Sequence, residues 1–448
     1  MTRVRLVISW ALVPVALVLV AACEREAAVN QAPPATSASA GASEERSTSA
    51  KARLVALSKN EGSSPIDEQI RAGQQMSQQF PTLRDNWIAL GRLWVRKARV
   101  AGDPGLYLNA RACADIALDI EPDNLPAQNL VAIVLESEQK FRDALDVADR
   151  ILAKYPNDLM ALGTRSDALL EIGRVEDAVD TTQKMVDLKP DLPSYSRAAY
   201  LRWLTGDVKG AEAIAWRAID AGRDPRELEP LAWAIVQAAM MFWNEGDFAG
   251  ANAGFDKALQ AVKEYPPALV GKGRYMLLAA NEPAAAVPLF ERAYKASPSA
   301  EAAWLLGDAR QAAGDTEGAA REYAEVVKRG RKDDARTLVQ FYATKNRDID
   351  EAVRLAEADL KVRGGPYTDD ASAWALYRAG RIKDARIASD RALRFGTKDA
   401  TLLFHAGAIR IAAGDKAAGL KLVREALTRN PRFDLTGAAE AATLTATK

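Results

Sequence analysis

Residues 281–298, NEPAAAVPLFERAYKASP, decide the fold of this chain. The stretch opens on Asn281, continues through a charged residue, and five positions after the Asn reaches Ala286. Phe290 and Ala293 follow at steps of four and three, which puts all three on one face of a helix, and Pro298 ends the run. Working outward, the same turn, a Gly or its stand-in before a charged residue in all but the first case, recurs at Gly105, Gln139, Gly173, Gly206, Gly246, Asn281, Gly314, Arg347, Gly380 and Gly414. Successive intervals are 33 to 35 residues, apart from one of 40. A period in that range means stacked two-helix units. Five residues after the turns stand Ala110, Ala144, Ala178, Ala211, Ala251, Ala286, Ala319, Ala352 and Ala385, with Gly419 closing the series. Side chains this small let one helix approach its neighbour closely.

The tenth unit repeats the pattern with Val423, Ala426 and Pro431, and the first helices supply Trp87, Leu90, Gly91 and Trp94, then Leu306 with Gly307. This resembles the tetratricopeptide repeat (TPR) family, whose pattern is W-x2-L-G-x2-Y…A-x3-F-x2-A-x4-P. The resemblance implies an all-α, right-handed α-solenoid of about ten TPR-like helix pairs over residues 84–433. The first unit departs from it with extra residues (VAGDPGL) between its helices, the fifth is preceded by a long GRDPRELEP connection, and the eighth lacks the turn Gly.

The N-terminus, MTRVRLVISWALVPVALVLVAAC, places Arg3 and Arg5 before an apolar run from Leu6 to Ala22, the layout of a secretory signal peptide over residues 1–22. Its end, Val20-Ala21-Ala22-Cys23, looks like the lipobox of a bacterial lipoprotein, which implies lipidation of Cys23. Two or more acyl chains anchor stably where one does not. The alternative is a single transmembrane anchor, for which the run sits at the short limit. Glu24 after the Cys implies, by the same resemblance, a periplasm-facing location at the outer membrane. Residues 23–50 are rich in Ala, Ser, Pro and Thr and are expected to be a disordered tether, reaching roughly 30 Å. Residues 51–83 read as capping helices that cover the first repeat with Leu54, Leu57, Ile66, Ile70 and Met76. The tail 434–448 has few large apolar residues, so weak capping and a free docking end are expected there.

Composition narrows the chemistry. Lys plus Arg equals Asp plus Glu at 60 each, so no basic excess argues for nucleic acid. With Cys23 as the lipid site, Cys113 has no intramolecular disulfide partner and is expected to be buried. His405 is the only histidine, and its helix LLFHAGAIR carries neither nucleophile nor carboxylate three or four residues away. One His and one free Cys do not make a zinc site. The Gly-Lys of GKGR at 271–274 lies inside a helix and lacks a phosphate-loop spacing. No catalytic residue, no metal and no cofactor is expected, and the chain reads as a non-enzyme.

In the TPR family the first helices line a concave groove through positions 2, 5, 9 and 12. Those slots hold Tyr200, Trp203, Trp233, Met240, Trp243, Tyr275, Trp304, Trp374, Tyr377 and Phe404 here, while units one to three offer none of these rings. The aromatic stripe either binds an extended peptide, helix or glycan, or packs between adjacent first helices. The sequence therefore points to a lipid-anchored adaptor that holds an unnamed protein partner in envelope assembly, secretion or polysaccharide export. The alternative is a glycan- or peptidoglycan-binding module using the same stripe.

Overall fold

A computed structural model describes residues 50–224 and 228–446; the signal-peptide, Cys23 and tether expectations lie outside them. Among the described residues the regular structure is helical, with no strand. They divide into two compact units, one ending at Lys140 and one beginning at Phe141.

The unit ending at Lys140 contains α1 (50–56), α2 (Pro65–Gln79), α3 (Arg84–Ala101), α4 (Tyr107–Ile120) and α5 (Leu125–Ser137). Ala56 and Ile70 enter its core beside Trp87, Leu90, Trp94 and Cys113, with Leu57 and Ile66 packed at the margin. Leu54 and Met76, expected to cover the first repeat, instead lie 76% and 46% exposed. The cap is held as much by polar contacts as by apolar ones. Trp94 Nε1 donates to the Ala56 carbonyl at 3.1 Å and Asn109 Nδ2 to the Val55 carbonyl at 2.7 Å. Cys113 is a buried thiol whose pKa burial pushes up, as an inert structural Cys requires.

The unit from Phe141 opens with α6 (Phe141–Lys154) and then runs through eight helix pairs. These are α7 (Leu159–Glu171) with α8 (Val175–Leu188), α9 (Leu192–Leu204) with α10 (Val208–Ala221), and α11 (Leu228–Asn244) with α12 (Phe248–Ala261). Next come α13 (Pro266–Arg274) with α14 (Pro283–Ala296), and α15 (Ala300–Ala312) with α16 (Thr316–Asp333). The series ends with α17 (Ala335–Thr344) and α18 (Ile349–Asp359), α19 (Pro366–Arg378) and α20 (Ile382–Leu393), α21 (Ala400–Ala412) and α22 (Lys416–Arg429), and α23 (Gly437–Ala446).

The recurring turn has one physical basis. At Gly173, Gly206, Gly246, Gly314, Gly380 and Gly414 the residue is left-handed, and the next N–H returns to the carbonyl five residues back, as from Asp207 to Arg202 at 2.7 Å. Where the residue after the Gly is Asp, at 207, 247, 315 and 415, its carboxylate caps the second helix, as where Asp207 Oδ1 accepts from Gly210 N–H at 3.0 Å, whereas Arg174 and Arg381 make no side-chain cap. Two turns differ from the sequence reading. The first-repeat turn residue is Gly102 at φ 59°, not Gly105, because α3 runs through part of the inserted stretch and Pro104–Leu106 forms a separate 3-10 turn. In the eighth repeat Asn346 takes the left-handed conformation at φ 50°, one residue before Arg347.

The sixth repeat carries one extra residue, absorbed by a π-helical turn, Tyr275–Ala279, continuing α13. At the other end, α23 buries Ala441 fully, and Arg378 reaches Glu440 at 2.8 Å. The tail expected to cap weakly therefore forms a covering helix.

Candidate functional site

All ten aromatic and Met candidates lie in the unit from Phe141. Five of them are buried: Tyr200, Trp203, Trp243, Trp374 and Phe404. Trp233, Met240, Tyr275, Trp304 and Tyr377 keep part of their surface open. Of the two alternatives for the stripe, binding or packing, five of its side chains are packed away and five keep open surface.

Ring packing between successive repeats accounts for much of the burial. Trp374 stacks on His405 with centroids 4.0 Å apart and planes at 14°, and on Tyr377 at 4.9 Å. Phe404 packs edge-on to Trp374 at 5.5 Å and against Phe433 at the same distance. Trp243 turns toward Phe248 at 4.9 Å, inside the core shared by α11 and α12. Trp304 meets Phe341 edge-on at 5.5 Å and remains half-buried.

The His405 environment was not read from its own helix, because its partner lies one repeat away. Asp370 of α19 approaches His405 Nδ1 at 2.9 Å, and both side chains are buried. The arrangement fixes the imidazole under the Trp374 ring, while the Arg378 guanidinium lies 4.4 Å from the same indole centroid. Contacts of this type recur about one repeat apart: Asp167 with Arg197, Glu229 with Tyr265, Glu325 with Tyr294. A search for complementary residues 30 to 36 positions apart would have found them.

A second set of contacts spans far longer separations. Gly364 N–H donates to the Glu171 carbonyl at 2.9 Å, and Arg394 donates to the Gly173 carbonyl at 3.0 Å. Asn430 Nδ2 donates to the Trp243 carbonyl at 2.9 Å, and Arg429 pairs with Glu245 at 2.8 Å. Arg432 takes the Leu278 and Ala279 carbonyls at 2.6 and 2.9 Å. Each acceptor lies at or just past the C-terminal end of a first helix, where carbonyls lack intrahelical partners and the dipole favours a cation. The repeats from α17 onward therefore stack edge-on upon those from α7 to α13, and a seam runs between them.

Behind these loops lies a buried polar layer. Tyr200 and Tyr367 are close enough to perturb each other, and the Tyr367 hydroxyl donates to Asp399 Oδ2 at 3.4 Å. Arg336 and Arg363 face the Glu171 carboxylate at 3.9 and 3.8 Å, and Arg363 also lies over the Phe141 ring at 5.2 Å. Burial raises the Asp399 and Asp359 carboxyls above the ordinary carboxylate range and raises both tyrosines. Tyr200 is thus covered by residues of distant repeats as well as by its neighbours.

Among the described residues, no group of three or more His, Cys, Asp and Glu is placed to hold a metal ion, and no helix is long and apolar enough to cross a membrane. Tetratricopeptide repeat family patterns match residues 132–193, 236–301 and 277–340. The chain is 29% identical over 132 residues to a tetratricopeptide repeat and J domain-containing co-chaperone, DNJ1, of Fusarium oxysporum f. sp. lycopersici. That match takes in 28% of this chain and 25% of the relative, so the chain spans about a quarter of the curated relative's length. Among solved structures it is similar to PilW, a type IV pilus biogenesis factor, at 18% identity and TM-score 0.37, over 44% of this chain and 90% of PilW. A tetratricopeptide repeat protein from Parabacteroides merdae matches at 16% identity and TM-score 0.39, over 61% of this chain and 98% of that one. Tetratricopeptide repeats are present in this chain.

Proposed function

We propose that this repeat-bearing chain is a protein-interaction scaffold, anchored through Cys23 to the periplasm-facing side of a bacterial membrane, the outer membrane by the Glu24 rule. One observation carries the scaffold reading: Trp233, Met240, Tyr275, Trp304 and Tyr377 each pack one side against an apolar core and keep part of their surface open. Rigid aromatic side chains held this way lose little entropy on binding and bury large area, the character of interface anchors. The anchor reading rests on residues 1–24 alone.

The test is an in-cell crosslinking pull-down comparing the native chain with a Trp233→Ala, Tyr275→Ala, Trp304→Ala variant, matched in helicity by circular dichroism. Loss of a specific captured protein in the variant supports the reading. Unchanged capture removes these rings from the interface, and recovery of cell-wall glycan instead would favour the glycan-binding alternative. Separately, Cys23→Ala is expected to abolish incorporation of labelled palmitate and to release the chain from the membrane fraction. Retained labelling would overturn the lipidation.

A further inference from the structure

The edge-on seam differs from the joints between neighbouring repeats from α11 onward in what holds it. Successive repeats share apolar cores: one from Ala232 to Ala268, a second from Leu277 to Ala309, a third from Ala300 to Ala441. None of these clusters joins the repeats from α7 to α13 with those from α17 onward. The contacts across the seam are backbone hydrogen bonds, Arg side chains on helix C-termini, the Arg429–Glu245 pair, Arg336 and Arg363 at Glu171, and the buried Tyr200 and Tyr367 with Asp399. The hydrogen bonds and the part-exposed Arg429–Glu245 pair exchange for water at small net cost, whereas apolar cores do not. Glycine backbones make the fit close: a Cβ on Gly206 would stand 2.4 Å from the Gly396 carbonyl oxygen, and one on Gly364 would stand 2.8 Å from that of Ile172.

The seam is also electrostatically one-sided. Its cations, Arg363, Arg394, Arg429 and Arg432, come from the later repeats, and its acceptors, Glu171, Glu245 and the helix-end carbonyls, from the earlier ones. It is therefore a docked interface between two halves of one unit, polar in the manner of interfaces that open and close.

We propose that this seam is a latch: the repeats from α7 to α13 and those from α17 onward part along it as bodies, the apolar joints between them flexing. Parting uncovers the Tyr200, Tyr367 and Asp399 layer and opens the inner face sideways to a partner. This rests on the scaffold reading for its purpose, but its geometry is tested without any partner.

Glu245 and Arg429 provide the test, since both side chains lie part-exposed at helix ends, outside the apolar cores. Full-length chains carrying Glu245→Arg, Arg429→Glu, or both would be compared by small-angle scattering and circular dichroism. Each single reversal is expected to raise the radius of gyration by about a tenth or more at unchanged helicity, and the double swap to return it to the native value. An unchanged radius in both single variants would overturn the latch. So would a rise accompanied by lost helicity that the double swap fails to restore, because the seam would then be part of the fold. Neither scattering result depends on whether a partner is captured, so a failed pull-down and a failed latch remain distinguishable.

Discussion

At the scale of single residues, one glycine can separate the turn from the seam. Gly206 and Gly314 occupy equivalent turns at φ 84° and 89°, yet only Gly206 has another backbone against it; a Cβ on Gly314 would meet nothing within 4 Å. Replacing either by Ala incurs the left-handed cost of about 1–2 kcal/mol. Gly206→Ala must in addition push Gly396 away. Denaturant titration is expected to show Gly206→Ala more destabilised than Gly314→Ala by about 1 kcal/mol or more. Equal losses would mean that the close approach contributes nothing. The turn itself was legible in the sequence because it recurs with the repeat; the second duty of Gly206 was not, since its neighbour lies 190 residues on.

At the scale of elements, helix positions followed from the Ala series and turn spacing, and the sequence reading failed where a local feature absorbed extra residues. The 3-10 turn at Pro104–Leu106 displaced the first turn from Gly105 to Gly102, whereas the π-turn at Tyr275–Ala279 left the turn at Asn281 where the sequence placed it. The fate of the aromatics depended on rotation about each helix axis, which a one-residue shift of register changes by about 100°. That is why Trp243 and Phe404 are buried in cores while Trp233 and Tyr275 only flank one. Polar joints between helices were equally hidden. Arg197 of α9 reaches Asp167 of α7 through Nε at 2.9 Å and a second bond from Nη2, with both groups largely buried. Asp167→Ala leaves that guanidinium without its carboxylate and is expected to cost about 3–5 kcal/mol, measured by chemical denaturation. Adding Arg197→Leu should recover part of the loss; no recovery would show that the pair is not the source.

At the scale of the whole unit from Phe141, the seam makes the repeats more than a chain of nearest neighbours. Its response to acidity follows from the buried carboxyls. Asp399, facing Tyr200, Tyr367, Asp370 and His405, and Asp359, facing Arg336, Arg363, Glu171 and Asp334, both have carboxyl pKa values raised chiefly by burial. A group raised in the folded state contributes stability that is fully present below its unfolded value and lost as pH climbs through the folded one. The seam is therefore expected to tighten as pH falls through the folded-state values of these two carboxyls. Hydrogen exchange of the loops at 395–399, corrected for intrinsic rates, would show slower exchange; faster exchange on acidification would contradict the assignment.

The repeat period fixes how each pair packs on the next, but the pitch of the winding sums small angles over many joints, and no single repeat records it. Closure is accordingly the claim that most needs direct measurement. The amide of Gly364 has its hydrogen-bond acceptor across the seam, the Glu171 carbonyl at 2.9 Å. Residue-resolved hydrogen exchange on the native protein should find this amide protected about 100-fold or more relative to an open loop. Exchange at the rate of an unstructured peptide would show that the edges do not meet in solution.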